Sequence, residues 1–404
     1  MEPSKKDAID GSDLNAIGNP VDLPRHLRDS RPMSQPKIEL KRSERLAWLR
    51  LIRSDNVGPL TFRALLARFR SAEAALMALP ALAKKGGRRD FKVQPQGEAE
   101  RELDALEAYG ARLLCSCEAD YPPLLAELED APPVLALKGH AHLAARRTLG
   151  IVGARNASAN GAAFARRIAA ELGRHGLVVV SGLARGIDGA AHQGALSTGT
   201  IAVVAGGVDV IYPPENRELH QRIAAEGAVV AEAPFGAEPM ARSFVIRNRI
   251  ISGLSLGVLV IEAGAKSGSL HTARFAAEQG RDVMAVPGSP MDPRAKGSNG
   301  LLREGAALVE TAEDVLEALG RRRPLAEPAG RDLLTQTIEQ PSESDVDAAR
   351  SRVLAKLSPE PVEVDELLRQ CQIGAPVVQT VLLELELEGR VRRHTGARVS
   401  LIVP

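Results

Sequence analysis

Leu149-Gly150-Ile151-Val152-Gly153-Ala154-Arg155 opens on a short apolar run and closes on a glycine and an arginine, the composition of a strand that hands the chain to a helix. Ser158, just beyond, is of the residue type that caps helix N-termini. Similar apolar runs recur at 177–180, 201–204, 228–231, 257–261 and 283–286. Separated by helical stretches of about 10–15 residues, they mark a parallel sheet covered on both faces. In the first such helix Phe164, Ile168 and Leu172 share a stripe toward the sheet, Arg166, Arg167, Glu171 and Arg174 face water, and Gly173 and Gly176 can end it. Right-handed crossovers then predict an α/β domain over about 149–309: a Rossmann-like, doubly wound, mostly parallel sheet.

Around this centre the chain divides. Its 404 residues are long for one domain and predict two or three. Residues 1–40 are polar and broken by Pro3, Pro20, Pro24, Pro32 and Pro36, which predicts a disordered tail. A helical pattern with Leu46, Leu49 and Ile52, the turn Asn56-Val57-Gly58-Pro59 and a second pattern with Leu60, Leu65, Leu66 and Phe69 give a helical domain over 41–110. The segment 111–148, with a short strand at Leu113-Leu114 and the breaks Tyr121-Pro122-Pro123 and Ala131-Pro132-Pro133, bridges into the central domain, which ends near 320. A Pro- and Arg-rich linker over 321–345 leads to 346–404, where three helices closed by a small hairpin form a winged-helix pattern.

Composition narrows the function. With 52 basic and 51 acidic residues the net charge is +1, so any nucleic-acid footprint must be local. Aromatic residues make up 3%, too few for a surface built on many stacking platforms. Three cysteines, with no second Cys/His pair at zinc spacing, predict neither a disulfide framework nor a metal site. The first residues lack a signal-peptide apolar core and no long uncharged apolar run follows, so the expectation is a soluble, cytoplasmic protein without membrane contact.

Four motifs carry candidate chemistry. At Gly153 and Arg155 an anion could approach backbone N–H groups at a helix start; the spacing is not G-x-G-x-x-G and no acidic residue stands where a ribose would need one, which speaks against NAD. In Ser181-Gly182-Leu183-Ala184-Arg185-Gly186, the serine, Gly182 and the backbone around Gly186 suit a second phosphate with Arg185 over it, while Asp188 and His192, four apart, can pair as a structural clamp. Phe244 precedes Arg247, Asn248 and Arg249 at the head of an apolar helix; the two arginines diverge, one to phosphate and one to a carboxylate such as Glu262. Phe244 is placed to stack a base, though ordinary packing is the stronger reading of a lone phenylalanine. Lys266-Ser267-Gly268-Ser269 lacks the glycine of a P-loop, which disfavours ATP, yet its turn offers hydroxyls and N–H groups to one more phosphate. No cofactor is expected.

These motifs, with Tyr121-Pro122, Pro132-Pro133, Tyr212-Pro213, Ser252-Gly253, Pro287-Gly288 and Gly305-Ala306 in fixed order, resemble the DNA-processing protein A (DprA, also called Smf) family over the whole central domain. The flanking regions are similar to that family's SAM-like or helix-hairpin-helix domain and its winged helix. The resemblance implies a cytoplasmic, non-enzymatic protein that binds single-stranded DNA, forms a homodimer through its Rossmann-like domain and loads the RecA recombinase during natural transformation. By matching position it gives a DNA-contact role to Arg155, Ser181, Gly182, Arg185, Phe244, Arg247 and Asn248. Two departures are His271, where an aliphatic residue is expected, and Val245, where a proline is usual. The competing reading, a nucleotide-hydrolysing enzyme of the lysine-decarboxylase-like (LOG) type, needs P-G-G-x-G-T-x-x-E; Pro287-Gly288-Ser289-Pro290 breaks it.

In the winged helix the third helix carries Glu384, Glu386 and Glu388, carboxylates expected to repel phosphate, while Arg390, Arg392, Arg393 and Arg398 lie on the wing. An accessory or partner-binding role follows. The Asn56–Pro59 turn either accepts phosphate through its N–H groups or only packs helices.

Overall fold

The computed structural model describes residues 39–85, 91–320 and 343–402. The tail expected over 1–40 lies outside the described residues except for 39–40, and the linker over 321–345 except for 343–345, where a helix has already begun.

The N-terminal helices are α1 (Arg42–Arg53), α2 (Pro59–Phe69), α3 (Ala72–Lys85) and α4 (Gln96–Ala108). Asn56 takes a left-handed φ of 55° in the turn before α2, and Pro59 sits at the first helical position, where its missing N–H costs no bond. Leu51, Phe62, Leu65 and Leu79 bury one core among α1, α2 and α3. The other face of α1 and all of the apolar face of α4 pack on the central sheet, through Leu49, Leu103 and Leu106.

The central strands are β1 (Ala111–Cys115), β2 (Val134–Gly139), β3 (Thr148–Gly153), β4 (Val178–Ser181), β5 (Thr200–Val203), β6 (Ala228–Ala231), β7 (Gly257–Ile261), β8 (Asp282–Ala285) and β9 (Ala307–Leu308). They form one sheet, ordered β1-β2-β6-β5-β4-β3-β7-β8-β9 among the described residues. From β6 to β9 the neighbours pair in parallel, while β1 and β2 add an antiparallel edge. Between them run α5 (Pro123–Ala126), α6 (Ala159–Arg174), α7 (Ile187–Ala195), α8 (Arg217–Glu226), α9 (Ala241–Gly253), α10 (Ser269–Glu278), α11 (Lys296–Arg303) and α12 (Ala312–Gly320).

Alternation along each strand sends side chains to two separate cores. Leu149 and Ile151 meet Ile168 and Leu172 of α6 and Val315 of α12, whereas Val152 meets Ile250 of α9, Leu254 just after it and Ala273 of α10. A strand buried on both faces has no polar side, which is why these strands read as unbroken apolar runs. Gly173 does not end α6: it lies inside the helix, where a Cβ would come within 2.0 Å of Thr198 Oγ1 on the neighbouring segment, and Gly176, at φ +83°, makes the exit.

The last domain comprises α13 (Glu343–Lys356), β10 (Val362–Glu363), α14 (Val364–Cys371), α15 (Ala375–Leu387), β11 (Val391–His394) and β12 (Arg398–Leu401), around a core of Val353, Leu367, Val381, Leu382 and Leu385. The fold class is thus mixed α/β, with a large, mostly parallel sheet, an N-terminal helical domain and a C-terminal winged helix.

Candidate nucleic-acid interface

The strand order places the site. After β3 the chain winds outward through β4, β5 and β6, then returns to add β7 on the other side of β3. The segments leaving β3 and β7 therefore run to opposite faces, α6 to one and α10 to the other, and open a crevice at their carboxyl ends. A cleft of about 890 Å³ lies there, walled by Gly153 and Arg155 after β3, Ala184 and Asp188 after β4, Lys266 to Ser269 after β7, and Phe244, Arg247 and Asn248 of α9.

The first two expected phosphate cradles are filled by the chain's own carboxylates. At α6, Ser158 is the N-cap as expected, its hydroxyl accepting from the Gly161 N–H. Glu262, brought in from the end of β7, accepts from the Ser158 N–H at 2.8 Å and from its hydroxyl, and lies where a Cβ on Gly161 would be. At the loop after β4, Asp188 accepts from the N–H of Gly182 at 3.2 Å and of Ala184 at 3.4 Å. Burial raises its pKa, opposed by the Arg247 charge and by those N–H groups. Ser181 is fully buried and donates to the Ile151 carbonyl, so its hydroxyl ties β4 to β3 beneath the cleft floor.

The expected Asp188–His192 pair does not form. His192 Nδ1 meets Thr200 Oγ1 at 2.7 Å, and burial next to the Arg247 charge pushes its pKa down to about 3. The glycines here serve close packing. A Cβ on Gly153 would lie 1.8 Å from the Ile261 carbonyl oxygen, one on Gly186 would lie 2.3 Å from the Ala154 oxygen, and one on Gly182 would overlap the Arg247 guanidinium.

The third turn is open. Ser267 and Ser269 share a hydrogen bond of 2.7 Å at the N-terminus of α10, Gly268 has no neighbour within 4 Å of a Cβ position, and Lys266 is exposed beside them. Across the cleft stands α9, which begins at Ala241, so Phe244, Arg247 and Asn248 lie inside it and not at its head. Asn248 Nδ2 donates to the Gly268 carbonyl at 3.2 Å and holds α9 to this turn. Residues two apart diverge by about 200° around a helix, and the two arginines do separate. Arg249 turns away from the cleft to Glu232 and Asp130, not to the expected Glu262.

Arg247 is the buried cation of the floor. Its Nη1 donates to the Val203 carbonyl at 2.8 Å, and its Nε has no acceptor among the described residues. Burial lowers its pKa to about 10, against the pull of Asp188, and the nearby Arg155 charge lowers it further. Two guanidinium groups thus face one space, an arrangement that an anion would relieve. Arg155 is exposed, with its guanidinium 5.0 Å from the Phe244 ring centroid, and Tyr212 packs against the same ring at 5.4 Å. Arg185 lies alongside in a smaller adjoining pocket, 3.7 Å from Glu215, both well exposed. Tyr212, part of a motif with no expected site role, thus joins Phe244 at the cleft. The Pro287-Gly288-Ser289-Pro290 stretch is not part of the cleft wall. Among the described residues no group of three His, Cys, Asp or Glu is placed to hold a metal ion, and no helix is long and apolar enough to cross a membrane.

Residues 112–320, the whole region that builds this cleft, match the family of DNA recombination-mediator protein A. The chain belongs to the DprA/Smf family. Residues 42–105 match the DprA-like N-terminal HHH domain and residues 338–397 the DprA winged helix domain. The chain is 34% identical to protein Smf of Synechocystis over 392 residues, 88% of this chain and 98% of that protein. It is 43% identical to DNA processing protein DprA of Bacillus subtilis over 225 residues, 55% of this chain and 76% of the relative. The crystal structure of DprA from Streptococcus pneumoniae superposes with a TM-score of 0.58 at 35% identity, covering 70% of this chain and 98% of that one.

Proposed function

We propose that this DprA/Smf protein binds single-stranded DNA along the cleft, acts without catalysis as a recombination mediator in the cytoplasm, and works as a homodimer that passes the strand to the RecA recombinase. The observation that carries the binding reading is the pair Arg247 and Arg155, two cations facing one cleft, with the Ser267–Ser269 turn opposite and the half-buried Phe244 packed on exposed Tyr212 at the rim. Phosphates bind by charge and N–H groups, and bases by stacking, so this combination suits a strand whose bases are free. The family description of a recombination mediator supports the further step to RecA.

Arg155, Arg185, Phe244, Arg247, Asn248, Lys266, Ser267, Gly268 and Ser269 form the contact surface in this reading. Gly153, Ser181, Gly182, Gly186 and Arg249 shape it from below. The test is oligo-dT binding by fluorescence anisotropy across a salt series, for the wild type and for Arg155→Ala/Arg185→Ala. The expected slope of log affinity on log salt is about −0.7 per phosphate neutralised, shallower by about one to two contacts in the double variant. Affinity independent of salt, or unchanged in the variant, would remove the cleft as the DNA site.

A further inference from the structure

In a free winged helix the third helix keeps one bare face, the one laid in a major groove when such domains read duplex DNA. Here α15 has none over its last two turns: from Thr380 to Glu388 every side chain is buried or half-buried. Val378, Val381, Leu382 and Leu385 fill the core of its own domain. Leu383 and Leu387, four apart on the other face, are buried in a different core, with Leu51, Phe62, Leu65 and Leu79 of the N-terminal helices.

Polar contacts match this apolar one. Asn56 Nδ2, in the turn before α2, donates to the Leu387 carbonyl at 2.9 Å and so satisfies an end of α15. The Glu386 carboxylate faces the hydroxyl of Thr61, fully buried in the first turn of α2, and pairs with Arg393 at 3.2 Å. Glu384 and Glu388 pair with Arg350 of α13. The carboxylates that were expected to repel phosphate are therefore turned into internal ion pairs, and α15 is withheld from DNA by coverage and not by its charge. At the wing, the Gly396 N–H donates to Glu129 of the segment between α5 and β2, at 3.2 Å.

We infer that α15 is a docking helix for the N-terminal helical domain, and that the winged helix thereby does not offer its third helix to duplex DNA. The occupant of this α15 face is the N-terminal helical domain. The third helix is the element by which a winged helix enters a major groove, and the contact covers it. With its groove-reading helix covered, the chain is selective against duplex. The inference does not depend on what the cleft binds.

The test uses the full chain and Leu383→Gln/Leu387→Gln, which puts uncharged polar groups on the interdomain face, adds no charge that would itself repel phosphate, and spares the winged helix's own core. Hydrogen exchange over α2, α3, α13 and α15 is followed together with binding of a short duplex and of oligo-dT. The expected result is loss of protection in α2 and α15 with α13 retained, a rise in duplex affinity of about tenfold, and unchanged oligo-dT binding. Should α13 also lose protection, Thr61→Asp, which sets a carboxylate against Glu386 from the other domain, repeats the measurement. Unchanged protection of α2 would overturn the docking, and lost protection without a gain in duplex affinity would overturn the masking. Oligo-dT affinity reports separately on the cleft.

Discussion

His192 shows how completely the region behind the cleft is dried. It is buried, its Nδ1 is committed to Thr200, and the Thr200 hydroxyl in turn donates a hydrogen bond to the Val179 carbonyl. The imidazole is held neutral, with a pKa near 3 in place of 6.5, because burial and the Arg247 charge both disfavour a second proton. As pH falls below 6.5 the unfolded chain takes up a proton that the folded chain refuses. The contribution of His192 to stability is therefore full above that value and is lost progressively as pH falls toward about 3. NMR of the imidazole is expected to show no titration between pH 7 and 5, and His192→Gln is expected to flatten the decline of melting temperature across that window. At the same scale Arg247 and Arg249 part company for a reason that two-residue spacing announces: one faces the cleft, the other Glu232 and Asp130.

At the scale of elements, the parallel strands were legible because burial on both faces leaves only apolar residues to write them. β2 was hidden in a proline-broken stretch, and β9 and β10, at two residues each, are too short to show a period. α3 falls between the expected helices, although its Ala- and Leu-rich sequence is helical by composition. Gly153 illustrates what strand pairing adds. It reads locally as room for an anion, but across the ladder it faces Ile261 in register, and a Cβ there would lie 1.8 Å from the Ile261 oxygen and 2.7 Å from Ile187. Gly153→Ala is expected to destabilise the central domain by about 1–3 kcal/mol or more, since rigid backbone on a neighbouring strand must move. Urea unfolding with an unchanged m-value would report it; a loss of DNA affinity at unchanged stability would instead favour the anion-approach reading.

For the molecule as a whole, the decisive contact joins its two flanks. Leu383 and Leu387 of the winged helix complete the core of α1, α2 and α3, so the N-terminal and C-terminal domains share apolar burial. Leu387→Ala is expected to cost about 2–5 kcal/mol as a buried leucine truncation. Calorimetry is expected to show that loss in the N-terminal and winged-helix domains together, in one transition; separate transitions with only the winged helix shifted would contradict the shared core.

Local signals were enough for β3 to β8 of the central sheet, the Ser158 cap, the α1–α2 turn and the three helices and hairpin of the winged helix, because each depends on the side chains within a few residues of itself. The state of the phosphate-ready turns was not local. Glu262 reaches Ser158 from 104 positions away, while Asp188 closes its own loop, and only the side-by-side placement of β3, β4 and β7 leaves the turn at Ser267 to Ser269 open between them. Hydrophobic patterning specifies that strands exist and are buried; it does not order them, and order decides which carboxylate meets which helix end. For the same reason the sequence by itself determined a central α/β sheet with phosphate-suited turns, and tertiary structure alone decided which turn stays free and that α15 faces a protein surface.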